Sequence, residues 1–315
     1  MSRFLVTGGA GFIGSHLVEA LLQRGHEVRV LDNLSTGRRS NIDSFLSQIE
    51  FIEGDMADAN VCQRAMHGIE YVLHQAAIPS VARSVEDPVG TTQNNVIGTV
   101  NLLWAAVQCG VKRFVQAGSS SAYGDQPVEV KIETLKPQPL SPYAVAKLTQ
   151  EQMGLAFSRS FSLSTMTLRY FNIFGPRQDP NSPYSAVIPL FTKALLEGKR
   201  PVIHGDGGQS RDFTYIHNVV EANLKAALTQ EGAGETVNIA CGTTHSVLDL
   251  LQRIASLLGV EANPEFLPPR TGDVRHSLAS IEKAKALIGY EPVVSFDEGL
   301  RRTVAWFQTQ LAQQG

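Results

Sequence analysis

Tyr143 and Lys147 stand four apart in the stretch Tyr143-Ala144-Val145-Ala146-Lys147, whose Ala, Val and Leu content predicts a buried helix. At that spacing two side chains share one helix face, so an ammonium can sit near a phenol and its hydroxyl neighbours. Tyrosine is a weak base at neutral pH, its ordinary pKa being about 10, and a neighbouring cation favours the phenolate. The pair is therefore an arrangement for proton transfer. A Y-x-x-x-K spacing also arises by chance on ordinary helix faces, so its meaning depends on the elements that position it.

Ahead of the pair the chain builds a binding turn. Phe4-Leu5-Val6 reads as a short buried strand, Thr7-Gly8-Gly9-Ala10-Gly11-Phe12-Ile13-Gly14 as a glycine turn, and Ser15 to Arg24 as a helix ending at Gly25. That order lets the backbone approach a pyrophosphate lying on the helix N-terminus, where unpaired N–H groups and the dipole favour anions. The spacing is G-x-x-G-x-x-G, not G-x-G-x-x-G. The next predicted strand, Glu27 to Leu31, runs into Asp32-Asn33. An acid about 20 residues beyond the glycines, at a strand's C-terminal end, can accept hydrogen bonds from an adenosine ribose, which predicts NAD as cofactor. Arg38-Arg39 argues the other way, since it could pair with a 2′-phosphate.

A third strand, Ile49 to Ile52, ends at Glu53-Gly54-Asp55-Met56, where Asp55 either flanks an adenine edge with the Met56 backbone or caps the next helix. The fourth, Tyr71-Val72-Leu73, ends in His74-Gln75-Ala76-Ala77, whose small residues let a cofactor lie against the backbone. His74 reads as a packed core histidine, and without H-E-x-x-H or clustered Cys and His no metal site is expected. A polar helix start at Asp87-Pro88 leads through Asn94-Asn95-Val96 into an apolar helix to Val107, closed by Gly110. The fifth strand, Arg113 to Ala117, stops at Gly118-Ser119-Ser120-Ser121-Ala122-Tyr123-Gly124. Hydroxyls at the C-terminal end of a central strand lie where open α/β sheets bind ligands. In extended geometry Ser119 and Ser121 share a side, which makes that pair the first choice for reaching a substrate. Pro137 to Pro142 then delivers Tyr143 into its helix.

The 315 residues, 43% hydrophobic and 18% charged, suffice for one large α/β core with a smaller lobe. A net charge of −3 gives no basic field for nucleic acid or an anionic membrane. Cys62, Cys109 and Cys241 are odd in number and far apart, which fits a reducing compartment. No apolar run approaches the ~18 residues that span a bilayer. A cytoplasmic protein is expected.

Taken together, Thr7 to Gly14, Asp32-Asn33-Leu34, Ser119 to Gly124 and Tyr143-x-x-x-Lys147 resemble the extended short-chain dehydrogenase/reductase superfamily. Arg169-Tyr170-Phe171-Asn172-Ile173-Phe174-Gly175-Pro176 and Ser210-Arg211-Asp212-Phe213-Thr214-Tyr215-Ile216 narrow the likeness to its nucleotide-sugar enzymes, nearest the UDP-glucose/UDP-N-acetylglucosamine 4-epimerases. It covers residues 1 to about 310. The implied fold is a Rossmann-type doubly wound parallel sheet over residues 1–175, with residues 176–315 mainly a UDP-sugar lobe and some segments returning to the main sheet.

The resemblance also implies a set of residues. Besides the glycines, Phe12, Ile13, Asp32, Asn33, Leu34, Ser35, Gly37, Asp55, Met56, Gln75, Ala76, Ala77, Asn94, Tyr170 and Phe171 would touch NAD together with Tyr143 and Lys147. Ser80, Ser119, Ser120, Ser121, Asn172, the Ala186-Val187 backbone, Arg211, Arg270, Asp273 and Ser277 would hold the UDP-sugar, the arginines by its diphosphate. Tyr143, Lys147 and Ser119 would be catalytic, working through a transient 4-keto sugar.

A dehydratase of this fold would need an Asp-Glu pair where Ser120-Ser121 stands, and a decarboxylase a glutamate there; epimerisation of a uronic-acid sugar needs neither. A non-enzymatic scaffold would typically have lost the tyrosine or lysine. Serine at 277, where plain-hexose relatives carry tyrosine, leaves room for an N-acetyl group. The likeness further implies a homodimer, built on the helix after Asn94 and the one beginning at Tyr143.

Overall fold

The computed structural model describes residues 1–180, 186–269 and 275–312. Its central sheet has seven strands: β1 (Arg3–Thr7), β2 (Glu27–Asp32), β3 (Ile49–Glu53), β4 (Tyr71–His74), β5 (Arg113–Ser119), β6 (Thr165–Tyr170) and β7 (Glu235–Ile239). They pair in the order β7-β6-β5-β4-β1-β2-β3, every pairing parallel. The chain builds outward from β1 to β3, then returns to the other side of β1 and builds outward again. Helices cover both faces, so Phe4, Leu5 and Val6 of β1 and Phe114 and Val115 of β5 are wholly buried, and these strands read as unbroken apolar runs.

Four helices link the first six strands at the site: α1 (Phe12–Gln23), α2 (Ala59–Met66), α3 (Gly98–Cys109) and α4 (Pro142–Phe161). Helix α1 begins three residues before the expected Ser15, because Gly11 is already its extended cap and Ser15 N–H donates to Gly11 O at 3.1 Å. Before α3, Pro88–Thr92 is helical with Asp87 as its cap, and Gln93–Ile97 winds as a π-helical turn that carries Asn94 and Asn95. Such turns often mark functional sites.

Beyond residue 175, α5 (Val187–Leu196), α6 (Ile216–Leu228) and α7 (Val247–Leu258) follow. Helix α6 packs on α1, with Arg24 and Glu221 paired at 2.5 Å, and β7 completes the main sheet beside β6. A smaller sheet runs in the order His245–Ser246, Ser210–Arg211, His276–Ala279, Val130–Lys131. Its last strand comes from the loop after Ser119–Tyr123. Through that pairing, the strand that carries Ser277 lies between Arg211 and the loop that follows the serine turn.

Candidate active site

β1 and β4 are neighbours whose connections leave in opposite directions, and their C-terminal ends form the crevice in which such sheets bind ligands. A cavity of 880 Å³ opens there. Gly8, Gly11, Phe12, Ile13 and Gly14 line it from the turn after β1, and Asp32, Asn33, Ser35 and Gly37 from the loop after β2. Met56, Gln75, Ala76, Ala77, Ser80 and Asn94 line the remainder, as does Ala186.

The turn has no room for side chains. Gly8 sits at φ 68°, and a β-carbon there would lie 2.8 Å from the Ala76 backbone; one on Gly14 would lie 2.0 Å from the Gly8 carbonyl oxygen. Asp32 accepts the Ala10 N–H at 2.9 Å and the Leu34 N–H at 2.8 Å, one bond per oxygen, which leaves acceptor capacity toward the cavity. Burial raises its pKa, and those two bonds counter the rise. Helix α1 starts without a side-chain cap. A diphosphate on these N–H groups and a ribose on Asp32 fit this cradle. Gly14→Ala should cost at least about tenfold in dinucleotide affinity, the equivalent of ~1.4 kcal/mol. The check is cofactor content after gel filtration.

Neither arginine suspected of holding a 2′-phosphate stands ready for one. Arg38 is paired with Asp179 across the cavity mouth, and Arg39 lies 3.8 Å from Asp43 with its guanidinium over the Phe51 ring. Asp55 is not a helix cap, because Asp58 caps α2 through Asn60 N–H. Asp55 instead accepts from Ala57 N–H at 2.8 Å and Asn33 Nδ2 at 3.1 Å, steadying the loop under Met56. Leu34 and Tyr170 act through neighbours: Leu34, at φ 56°, fixes Asp32, while the Tyr170 hydroxyl donates to Gln75 Oε1 at 3.1 Å. Phe171 is wholly buried in a separate cluster with Tyr123 and Ala279, so its side chain does not reach the cavity. Ser80 caps the helix Val81–Glu86, and Asn94 Nδ2 donates to Gly90 O at 2.8 Å.

Tyr143 and Lys147 begin α4. Ser141 caps it through the Ala144 N–H at 3.2 Å, and the Tyr143 N–H donates to Ser84 Oγ at 3.0 Å. Ser84 lies 59 residues upstream in a stretch without pattern, and nothing in the sequence singled it out. Ser119 faces the Tyr143 phenol, near enough to favour its ionised form. Ser119 also meets Ser121, Oγ to Oγ at 2.8 Å, and accepts the Ser121 N–H at 3.2 Å. The extended geometry behind the choice of Ser119 and Ser121 is not what forms: Ser120–Tyr123 is a 3-10 turn that folds Ser121 back onto Ser119. Ser120 and Ser121 stay half-buried in that turn.

The electrostatics need a second correction. Lys147 Nζ donates to the Ala117 carbonyl at 3.0 Å, and burial lowers its pKa to about 8. Burial raises the pKa of the Tyr143 phenol, and Ser119 only opposes the rise. Helical spacing brings the pair to one face, yet the ammonium is drawn to a buried strand-end carbonyl, so the protein alone does not acidify the phenol.

A second cavity, of 270 Å³, shares Ala186 with the first and is lined by Asn172, Val187 and Arg211. Val202, Ile203, His204 and Gln209 also line it, a strand and loop to which the sequence assigned no role. Asn172, at φ 37°, donates from Nδ2 to Asp212 O at 3.1 Å. Ser277 is the register partner of Arg211, and its carbonyl accepts the Asp212 N–H at 2.8 Å. Arg270 and Asp273 lie outside the described residues. Among the described residues no three His, Cys, Asp or Glu side chains cluster as metal ligands, and no helix is long and apolar enough to cross a membrane.

Comparisons with known proteins agree with this geometry. The chain is 38% identical to a UDP-glucose 4-epimerase of Mycolicibacterium smegmatis over 312 residues, 98% of this chain and 99% of the relative. The crystal structure of the Thermotoga maritima UDP-glucose 4-epimerase with UDP-glucose superposes with a TM-score of 0.93 at 40% identity, covering 98% of this chain and 99% of that one. A UDP-N-acetylglucosamine 4-epimerase from Methanobrevibacter ruminantium, in complex with UDP-N-acetylmuramic acid, gives 0.94 at 38% identity over the same shares. Residues 4–240 match the NAD dependent epimerase/dehydratase family, which agrees with the cradle around Gly8, Gly14 and Asp32 in making NAD the cofactor. On the strength of that match and of relatives that span it almost end to end, the chain belongs to the NAD dependent epimerase/dehydratase family.

Proposed function

We propose that the protein is a UDP-hexose 4-epimerase that interconverts UDP-glucose and UDP-galactose and also accepts UDP-GlcNAc and UDP-GalNAc. The observation that carries this reading is the Tyr143 phenol beside Ser119 at the sheet's C-terminal edge, with hydroxyls and no carboxylate at Ser120 and Ser121. Tyr143 takes the proton of the sugar's 4-hydroxyl, and Ser119 holds the same oxygen. Bound NAD supplies the hydride acceptor and, once the sugar has turned, the donor. Lys147 shares the phenol's helix face and carries its charge at neutral pH, with its ammonium held by the Ala117 carbonyl. With no acid and base to remove a C5 proton and expel a C6 hydroxyl, the 4-keto sugar leaves by reduction: once C4 has regained its hydride on the opposite face, Tyr143 returns its proton to the C4 oxygen and the inverted alcohol forms.

The second cavity suits the nucleotide end. Arg211, whose Nη1 donates to the Ser210 and Arg275 carbonyls, brings a guanidinium suited to a diphosphate to this cavity, and Asn172 and the Ala186-Val187 backbone line the space beside it. Firm hold on the UDP and loose hold on the sugar is what inversion by rotation requires. Arg270 and Asp273 are proposed to complete the grip. Residues 1–175 would then serve mainly NAD, and residues 176–315 mainly the UDP-sugar.

The test is to incubate the enzyme, without added reductant, with UDP-Glc, UDP-Gal and their N-acetyl and uronic forms, and to separate the products. Inversion at C4 of the hexose pair supports the reading; loss of water or carbon dioxide overturns it. Ser277→Tyr should reduce turnover of the N-acetylated pair more than that of the plain pair, because a tyrosine would fill the space beside the sugar's C2. Equal losses for both pairs would remove the argument from side-chain volume.

A cytoplasmic homodimer completes the proposal. Ile97 and Trp104 beside and on α3, and Val145 and Phe161 on α4, are each 42–49% exposed, and the Trp104 and Phe161 rings meet edge-on at 5.6 Å. An apolar face spread over two adjacent helices suits a second copy of the chain. Light scattering should give twice the chain mass for wild type and the single-chain mass for Trp104→Glu.

A further inference from the structure

One buried histidine has no part in the chemistry above. His74 ends β4 at 2% exposure, with Nδ1 2.7 Å from Thr7 Oγ1 and Nε2 2.9 Å from Thr99 Oγ1. Counting donors fixes its proton. The single hydroxyl hydrogen of Thr99 goes to the Asn95 carbonyl at 2.6 Å, so Thr99 Oγ1 must accept from its other neighbours, Gln150 Nε2 at 2.5 Å and His74 Nε2. Nε2 therefore carries the hydrogen. Nδ1 is then the acceptor of a neutral ring, and the Thr7 hydroxyl donates to it while the Thr7 oxygen takes the Ala76 N–H at 3.3 Å. Burial lowers the ring's pKa to about 3, Lys147 acts in the same direction, and neither ring bond goes to a carboxylate. A protonated ring would turn a second N–H on Thr7 Oγ1 and leave the threonine hydrogen without its acceptor.

The chain of bonds runs Gln150 to Thr99, His74 to Thr99, Thr7 to His74, and Ala76 to Thr7. Its two ends are functional elements. Thr7 precedes Gly8, whose missing β-carbon lets the Ala76 backbone approach, and Gln150 stands three residues after Lys147 on α4. Asn95, which accepts from Thr99, also clamps Ile78 through both its N–H at 2.7 Å and its carbonyl at 3.2 Å.

We propose that His74 is a positioning residue, held as the neutral Nε2–H tautomer, that couples the dinucleotide cradle to the proton-transfer helix. It sets the distance between Thr7 and Ala76 on one side and the turn of α4 that carries Lys147 on the other. The proposal rests on the epimerase reading for the role of α4 alone; the tautomer and the cofactor retention are measured without sugar, so the two can fail separately.

Nitrogen-15 NMR of the histidine-labelled holoenzyme tests it, with the signal assigned by its loss in His74→Gln. A pyrrole-type Nε2 and a pyridine-type Nδ1, unchanged between about pH 5 and about pH 8, are expected. His74→Leu, which removes donor and acceptor together, should release dinucleotide about tenfold faster, the scale of one lost buried hydrogen bond. It should also lower kcat with little change in KM for the UDP-sugar, and His74→Gln, keeping one donor and one acceptor, should recover most of both. An Nδ1–H tautomer, titration within that range, or wild-type retention and kcat in His74→Leu would overturn the proposal. If the leucine variant does not fold, the wild-type spectrum and the glutamine variant decide.

Discussion

Tyr143→Phe should lower the rate of sugar inversion by about a thousandfold, within the range that general acid–base groups contribute, while the fold and the bound dinucleotide stay unchanged. The substitution removes one oxygen. That oxygen lies beside Ser119, and the Tyr143 backbone remains held by Ser84 and the cap of α4 by Ser141. Stability should therefore hardly move, and a large loss of turnover with an unchanged melting point isolates the proton-transfer step. Full-speed inversion by the phenylalanine variant would remove Tyr143 from the mechanism.

The pH dependence sharpens this expectation. Lys147 is charged below its pKa of about 8 and neutral above it, because burial disfavours the ammonium. Only the charged form favours the phenolate, whose own pKa burial raises. Turnover should thus fall as pH rises through about 8 in a cofactor-loaded enzyme whose lysine keeps this setting. Lys147→Met should be slow throughout and lack that limb, its rate instead climbing with pH as the phenol ionises unaided. A methionine variant with the wild-type alkaline limb would assign the limb to another group.

What the sequence disclosed divides along a physical line. Gly8, Gly14 and Asp32 are legible because local sterics demand them: a strand, a turn with no room for β-carbons and a helix are contiguous in the chain, and the acid follows at the end of the next strand. The doubly wound parallel sheet follows from the same alternation, but its last strand, Glu235–Ile239, comes from beyond residue 175, where that alternation breaks. Side-chain direction is harder. Tyr143 and Lys147 share a face as their spacing requires, but the partner Lys147 selects, the Ala117 carbonyl, lies across the fold on β5. Ser84, Thr99 and Gln150 meet their partners through contacts 25 to 59 residues apart, which no periodicity encodes. The smaller sheet is hidden for a related reason: three of its four strands are two residues long, too short to alternate visibly, and are assembled by long-range pairing.

Glu151→Ala should destabilise the protein by about 3–5 kcal/mol, although the residue touches no reacting group. Its carboxylate takes two parallel bonds from Arg169, Nε to Oε2 at 2.8 Å and Nη2 to Oε1 at 2.6 Å, with both side chains at most 7% exposed. The guanidinium lies 4.6 Å over the Tyr123 ring, and its Nη1 has no hydrogen-bond partner. Without Glu151 a buried cation would keep only the ring face, an interaction of about 2 kcal/mol at best, far below its desolvation cost. Replacing both partners by apolar groups, Glu151→Leu with Arg169→Met, should restore most of the stability, since the loss comes from stranding one charge and not from removing the pair. Denaturant midpoints of the three proteins measure this directly. The same set separates stability from alignment: Glu151 follows Tyr143 and Lys147 at four-residue steps on one face of α4, while Arg169 on β6 and Tyr123 beyond Ser119 belong to the opposite wall. If the ion pair fixes the rotation of α4 against that wall, the stable double variant should still turn over slowly at unchanged KM. If it only fills the core, turnover should return with the midpoint.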